Sequence, residues 1–284
     1  MKFERSWTGN WENAFHGLRH PMESYARSDS GFGIAESDEW LKEVANEVIY
    51  SYDEDPKDIL IERDKLYDKG ILQWGKNVAE FVFIGKNDMD LAQRMIKAGT
   101  PNDKFLRQIF VSVDITAPLY WWKEMDTYKV GTTANSTSTM HKLASTPITL
   151  DCFETDDYQP NLIFETGIDD HGDNPWPYEC ILKDYIGESE NEVYFSETLI
   201  GMLESLRLKY LKTKDVRYWK ELIRWLPESW LQTRTWTADY AVLRNIIHWR
   251  SNHKLTEWHQ FVDWCKTLPY SSELLFYNQD FKNE

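Results

Sequence analysis

The sequence predicts a mixed fold of the α/β or α+β class: a central sheet with long helices, and a C-terminal half in which helices dominate. Three observations carry this. Ile109, Val111, Val113 and Ile115 alternate with Phe110, Ser112, Asp114 and Thr116, the two-residue period of a strand with one buried face. From Ser196 onward, segments 196–212, 215–226, 238–250 and 254–266 each place apolar residues at i, i+3, i+4 spacing, the stripe of an amphipathic helix. Between them, residues 150–190 hold seven Asp with several Pro and Gly and read as a long acidic loop. At 284 residues the chain has room for one or two domains of about 150 residues. No internal repeat or low-complexity linker divides it, so a single domain over 1–284 with the acidic loop inserted is expected.

Residues 1–35, rich in Ser, Gly and aromatics, are expected to be irregular. Ser37-Asp38-Glu39 precedes an amphipathic run to Tyr50 (Trp40, Leu41, Val44, Val48), which predicts a helix. Segments 59–62 and 78–84 have strand composition. Asn87-Asp88 can cap a helix running through Lys97, with Gly99 as its stop. After the 109–115 strand, Pro118 is tolerated in the first turn of a helix that Leu119 to Tyr128 would continue. Gly131 interrupts, and a polar segment from Thr132 to Thr139 follows. Pro227 breaks the second of the C-terminal helices from the third, which Thr237 or Asp239 can cap.

Composition excludes several function classes. Asp and Glu number 47 against 32 Lys and Arg, a net charge of −15. Duplex nucleic acid and anionic membrane surfaces both select positive faces, so neither is an expected partner; a small anion in a local basic pocket remains compatible. Aromatic residues make up 15% of the chain, 14 of them Trp. That excludes disorder and is more aromatic area than a core alone is expected to take, pointing to a subunit contact or a pocket for a flat ligand. The three cysteines, Cys152, Cys180 and Cys265, form no CxxC pair and suit a reducing compartment. No apolar stretch reaches membrane-spanning length, and MKFERSWTGN is not a signal peptide. A soluble cytoplasmic protein is expected.

Two stretches could carry chemistry. In 123–142, Lys123, Lys129, His141 and Lys142 flank a cluster of hydroxyls. Lysines supply charge to a phosphate while hydroxyls and backbone N–H groups supply geometry; composition alone favours a polar loop with solvated lysines. In 226–258, Arg234 precedes Trp236-Thr237 and Asp239, and Asn245 and Arg250 are five apart. Arg250 ends a helix, where a cation can serve a ligand or simply complement the dipole. His253 and His259 are six apart with no carboxylate motif, so no metal site is expected, and His248 falls on a packed face. The chain has no GxGxxG, no phosphate loop and no Gly-x-Ser-x-Gly elbow. Cys152 and Cys265 read as structural.

These two stretches resemble the flavin-dependent thymidylate synthases, the thymidylate-synthase-complementing fold. That family has a strand ending in Ala-Pro, a helix, then Arg-His-Arg, seven residues and Ser. Here Ala117-Pro118 is followed by a helix, then Thr127-Tyr128-Lys129, seven residues and Thr137. KAGT (Lys97 to Thr100) and the 109–115 strand resemble the turn and strand before that helix. Tyr210-Leu211 through Leu226-Pro227 resembles the helix pair ending in Leu-Pro, and Thr233-Arg234, Trp236-Thr237, Leu243, Asn245 and Arg250 follow at the family's spacing to within a residue. LRHPMESYAR (Leu18 to Arg27) loosely resembles the early Ala-Arg-x-Ser-Phe segment. The match spans roughly 14–268 and is similar also to divergent members encoded by tailed phages.

The resemblance implies FAD as cofactor, NADPH and methylenetetrahydrofolate as co-substrates, dUMP or a related pyrimidine nucleotide as substrate, methylation to dTMP as reaction, and a homotetramer. It implies Arg250 as the cation that binds and activates dUMP, with Arg234, Lys123 and Lys129 on phosphates. Asn135 and Thr137, the latter replacing the signature Ser, line the nucleotide site, and Glu124 and Thr139 stand where the family has Gln and Arg. Thr127, Tyr128, Lys129, Asp239 and Asn245 stand at flavin-contacting positions, with Tyr128 in place of His and Asp239 in place of Asn. Tyr128 keeps a flat ring but is not cationic at neutral pH, so a flavin there loses one positive neighbour. The departures leave two further readings: the same fold binding flavin or nucleotide without catalysis, and altered chemistry such as pyrimidine-nucleotide hydroxymethylation. An aromatic-rich assembly protein is a third, unrelated possibility.

Overall fold

A computed structural model describes residues 1–35, 72–75, 78–155, 162–165, 179–182 and 192–279. The helix expected at 37–50 and the strand at 59–62 lie outside the described residues. In chain order the described strands and helices are β1 (Lys2–Gly9), α1 (Trp11–Arg19), β2 (Gly31–Ala35), β3 (Leu72–Gly75), β4 (Val78–Phe83), α2 (Lys86–Ala98), β5 (Phe110–Pro118), α3 (Leu119–Met125), β6 (Thr133–Ser136), α4 (Thr139–Lys142), β7 (Leu162–Glu165), β8 (Glu179–Leu182), β9 (Glu192–Tyr194), α5 (Phe195–Thr213), α6 (Val216–Arg224), β10 (Leu231–Asp239), α7 (Tyr240–Arg250) and α8 (Thr256–Lys266). The chain divides into two units. The first comprises Met1–Ile115, Met125–Asn135 and Arg234–Glu284; the second comprises Thr116–Glu124 and Ser136–Thr233.

A four-stranded sheet runs in the order β1-β5-β10-β6. β5 realises the alternation of the sequence: Val111, Val113, Ile115 and Ala117 are buried. β10 is a correction, because Leu231 to Asp239 reads in sequence only as the approach to a helix. Its Trp236 and Ala238 are buried, while Thr235 donates a hydrogen bond to Asp114 and Thr237 donates to Ser112 at 3.2 Å. A strand whose second face is polar looks like a loop until its partner strand supplies the acceptors.

The first 35 residues are also corrected: instead of an irregular segment they form β1, α1 and β2. Trp11, Ala14, Phe15 and Leu18 recur at helical spacing and are all buried, so α1 follows ordinary amphipathic logic. β2, β4 and β3 form a three-stranded antiparallel sheet, and β4 realises the strand expected at 78–84. α2 begins at Lys86, and neither Asn87 nor Asp88 caps it. Asp29 does so from outside the helix, accepting from the Asn87 N–H at 2.8 Å and the Asp88 N–H at 3.1 Å. Gly99, with φ of 70°, ends it as expected. Asp88 is freed for another role: its carboxylate is fully buried and receives Arg19 Nε at 2.7 Å and the Ser28 and Ser30 hydroxyls at 2.7 and 2.6 Å.

α3 stops at Met125, three residues short of the expected Tyr128. The polar segment after Gly131 contains β6 and the start of α4. In the second unit, Leu143, Ile148, Phe153, Leu203 and Leu222 form a buried cluster beneath α5 and α6. The acidic stretch is not a loop throughout: β7 pairs antiparallel with β8, Leu162 opposite Leu182, and with β9. Trp11, Trp121, Trp122, Trp236, Trp258 and Trp264 are all buried, whereas Trp7, Trp225 and Trp249 are exposed. No described helix is long and apolar enough to cross a membrane.

Candidate functional site

The first unit holds a cavity of about 400 Å³. Thr127, Tyr128, Lys129, Asp239 and Asn245 all line it, together with Arg107, Gly131 and the apolar Val130, Ala241 and Val242. Three pieces of backbone build it. The turn after α3 presents residues 127–131 and is closed by the Tyr128 N–H donating to the Met125 carbonyl at 3.0 Å and the Thr132 hydroxyl donating to the Tyr128 carbonyl at 2.6 Å. The junction of β10 and α7 presents Asp239 and Asn245. A 3₁₀ turn over Asn102–Gln108 presents Arg107. Gly131, with φ of 77°, lets the first piece approach the second: a Cβ there would stand 3.0 Å from Val242 Cγ2 and 3.2 Å from Asp239 Oδ2.

Asp239, and not Thr237, caps α7, accepting from the Val242 N–H at 2.9 Å. Burial pushes its carboxyl above the usual range, and the Val242 and Ala241 N–H groups and the charge of Arg107 only partly offset this. Arg250 is the last residue of α7. Its Nε donates to the Tyr128 hydroxyl at 2.9 Å, and its guanidinium carbon lies 4.9 Å from the Trp258 ring centroid and 5.7 Å from that of Tyr128. The helix-end cation is thus held in an aromatic clamp, one side of which faces the cavity.

The remaining expected site residues divide between the units. Arg234, on β10, is ion-paired with Asp126 at 2.7 Å and its side chain is 15% exposed. Asn135 is exposed on β6. In the second unit, Lys123 pairs with Glu228 at 2.6 Å on an exposed surface, Glu124 belongs to α3, and Gln232 donates to the Thr137 carbonyl at 2.9 Å and to Thr139 Oγ1 at 3.4 Å. Arg107 is the charged residue of the cavity that sequence reasoning missed, along with the apolar Val130, Ala241 and Val242. The one local signal is a cation just before the 109–115 strand, and its convergence with 127–131 is a tertiary fact.

His253, His259 and Asp263 line a separate cavity of about 480 Å³, yet no group of three or more His, Cys, Asp or Glu suited to a metal occurs among the described residues. Cys265 is buried and burial drives its thiol well above the ordinary value, consistent with a structural role.

No protein-family model and no curated protein matches the sequence. Solved structures match its fold. A flavin-dependent thymidylate synthase ThyX from Helicobacter pylori, complexed with FAD and dUMP, is 14% identical over 97% of this chain and 98% of its own, with a TM-score of 0.53. A second structure of that enzyme, also with FAD and dUMP, is 14% identical over 97% of both chains, with a TM-score of 0.51. The chain has the fold of the flavin-dependent thymidylate synthases.

Proposed function

We propose that this protein is an enzyme of the flavin-dependent thymidylate synthase type, binding FAD in the 400 Å³ cavity and acting on dUMP or a related pyrimidine nucleotide. One observation carries the reading. Thr127, Tyr128, Lys129, Asp239 and Asn245, at the positions where the resemblance implies flavin contacts, come from two distant parts of the chain and line one cavity. The cavity's chemistry fits that group. Its volume lies within the range of small-molecule sites. The Tyr128 ring and the Val130 and Val242 side chains suit a flat heterocycle, the Asn245 amide can both donate and accept at its edge, and Lys129 and Arg107 carry charge for phosphates.

A bound flavin supplies hydride transfer; the chain's residues supply binding and electrostatics. Arg250 would face the pyrimidine carbonyl, where its fixed positive charge stabilises negative charge developing on the ring. Tyr128 and Trp258 hold that guanidinium in one orientation, so little reorganisation accompanies the reaction. Asp239 holds the N-terminus of α7 and so fixes where Ala241, Val242 and Asn245 line the cavity. NADPH and methylenetetrahydrofolate as co-substrates, and a homotetramer, belong to the same proposal.

The clamp also favours a second reading. A tyrosine stands where the resemblance expects a histidine and accepts a hydrogen bond from Arg250, which suits nucleotide binding with altered chemistry, such as hydroxymethylation.

The test is the purified protein's absorption spectrum, titrated with FAD and assayed for dTMP from dUMP, methylenetetrahydrofolate and NADPH. A flavin band and dTMP support the first reading. FAD and dUMP binding without dTMP, and without rescue of a synthase-deficient bacterium on thymidine-free medium, supports the second. A colourless protein that takes up no FAD overturns both.

A further inference from the structure

The turn after α3 holds two arginines, one from β10 and one from the end of α7. The Tyr128 N–H donates to the Met125 carbonyl at 3.0 Å, so Asp126 and Thr127 are the corners of a tight turn. Asp126 Oδ1 accepts from Arg234 Nη1 at 2.7 Å. Two residues on, the Tyr128 hydroxyl accepts from Arg250 Nε at 2.9 Å. One holding group is a charge and the other a dipole. The Tyr128 contact fixes the direction of Arg250 and leaves its charge in place, whereas the Asp126 contact offsets the charge of Arg234.

The Asp126–Arg234 pair is lopsided. By strand alternation Arg234 shares a face of β10 with Trp236 and Ala238, both buried. Its side chain is 15% exposed, against 55% for Asp126. A guanidinium so enclosed needs an anion against it, because a desolvated charge left unpaired is costly. A carboxylate more than half in water is held loosely, since solvent competes for it. The cation is therefore the fixed member of the pair and the anion the exchangeable one. A phosphoryl group is a stronger partner for a guanidinium, with more charge and several acceptor oxygens for its fork of N–H donors. It cannot bind beside Asp126 without repulsion between like charges, so it has to take the place of the carboxylate.

We propose that Asp126 is a resident anion in a phosphate seat at Arg234, and that it sets the selectivity of the site between phosphorylated and unphosphorylated pyrimidine ligands. When a phosphoryl group arrives, Asp126 turns out to solvent and Arg234 exchanges one anion for another. A nucleotide gains only the difference between the two contacts, while a nucleoside leaves the pair closed and loses nothing. With no ligand bound, the pair keeps the enclosed guanidinium neutralised. The pyrimidine, with Arg234 as its phosphate contact, rests on the function proposed above; the exchange of anions at Arg234 does not.

The experiment measures binding of dUMP and deoxyuridine by calorimetry, and of inorganic phosphate by ³¹P resonance, to the full chain and its variants at neutral pH. The variants are Asp126→Asn, Asp126→Ser, Arg234→Gln and the Asp126→Asn, Arg234→Gln double variant, with circular dichroism confirming that each folds. Either neutral replacement of Asp126 should tighten dUMP about fivefold or more. Deoxyuridine, which lacks the phosphate, should bind every protein within about twofold. With Arg234→Gln already in place, Asp126→Asn should change dUMP affinity by less than about twofold, the coupling that a double-mutant cycle isolates. A dUMP-to-deoxyuridine ratio that stays unchanged in both Asp126 variants, or rises equally with Arg234→Gln, overturns the proposal and leaves the proposed function standing. Should no protein bind either pyrimidine, the proposed function fails and inorganic phosphate decides the exchange. Phosphate binding that tightens in Asp126→Asn and is lost in Arg234→Gln sustains it, and any other pattern overturns it as well.

Discussion

Asp88→Asn removes one charge from a buried polar cluster of the first unit. The Asp88 carboxylate is 0% exposed and Arg19 is 5% exposed. Around it converge Arg19, the Ser28 and Ser30 hydroxyls, and the backbone N–H groups of Asp29 and Ser30 at 3.3 and 3.2 Å, tying α1, the 28–30 segment and α2 together. The substitution preserves shape but leaves the Arg19 guanidinium buried without a counter-charge, its remaining acceptor being the Arg27 carbonyl at 3.1 Å. Breaking a buried ion pair from one side costs about 3–5 kcal/mol. At about 2–4 °C per kcal/mol for a protein of this general size, the melting temperature should fall by roughly 6–20 °C. Thermal melts followed by circular dichroism at neutral pH measure this, and adding Arg19→Met should recover much of the loss by removing the stranded charge. The pH dependence has a definite sign. Burial alone would raise the Asp88 pKa, but the hydrogen bonds from Ser30, Ser28 and Arg19 and the Arg19 charge outweigh it and hold it below the ordinary 3.8. The stability it contributes is therefore present above about pH 4 and is lost as pH falls through the lowered value, so parent and variant should converge in acid. A fall of less than about 2 °C at neutral pH, with no convergence in acid, would refute the assignment of this cluster as a paired buried charge.

Two further outcomes test the candidate site. Arg250→Ala should weaken dUMP binding at least tenfold, as expected for a charge-assisted contact, and isothermal titration would show it; unchanged affinity would reduce Arg250 to a cation complementing the end of α7. Asp239→Asn keeps an oxygen to cap α7 and removes a carboxylate whose pKa burial raises. Ionising a group with a raised folded pKa costs stability as pH climbs past the unfolded value. Asp239→Asn should therefore gain on the parent chain between pH 3 and pH 7, opposite in sign to Asp88→Asn, while Asp239→Ala loses about 1 kcal/mol of capping. Equal destabilisation of the two variants would contradict this.

Residue pattern alone determined several elements. Where one face of an element is buried and the other wet, periodicity records it, as at Val111, Val113 and Ile115 on β5 and along α5, α7 and α8. The resemblance named five of the residues that line the cavity, because order and spacing survive where residue identity does not. The tertiary structure decided the rest. β10 exists because Ser112 and Asp114 meet the hydroxyls of its polar face, and those partners lie far away in the chain. α2 is capped by Asp29, which no local rule identifies. Arg234 meets Asp126, Arg250 meets Tyr128 and Trp258, and Arg107 meets the 127–131 turn only once the chain has folded. Local periodicity reports which side of an element is buried, whereas charge pairing and cavities depend on which distant side chains share a space, and only the folded chain sets that.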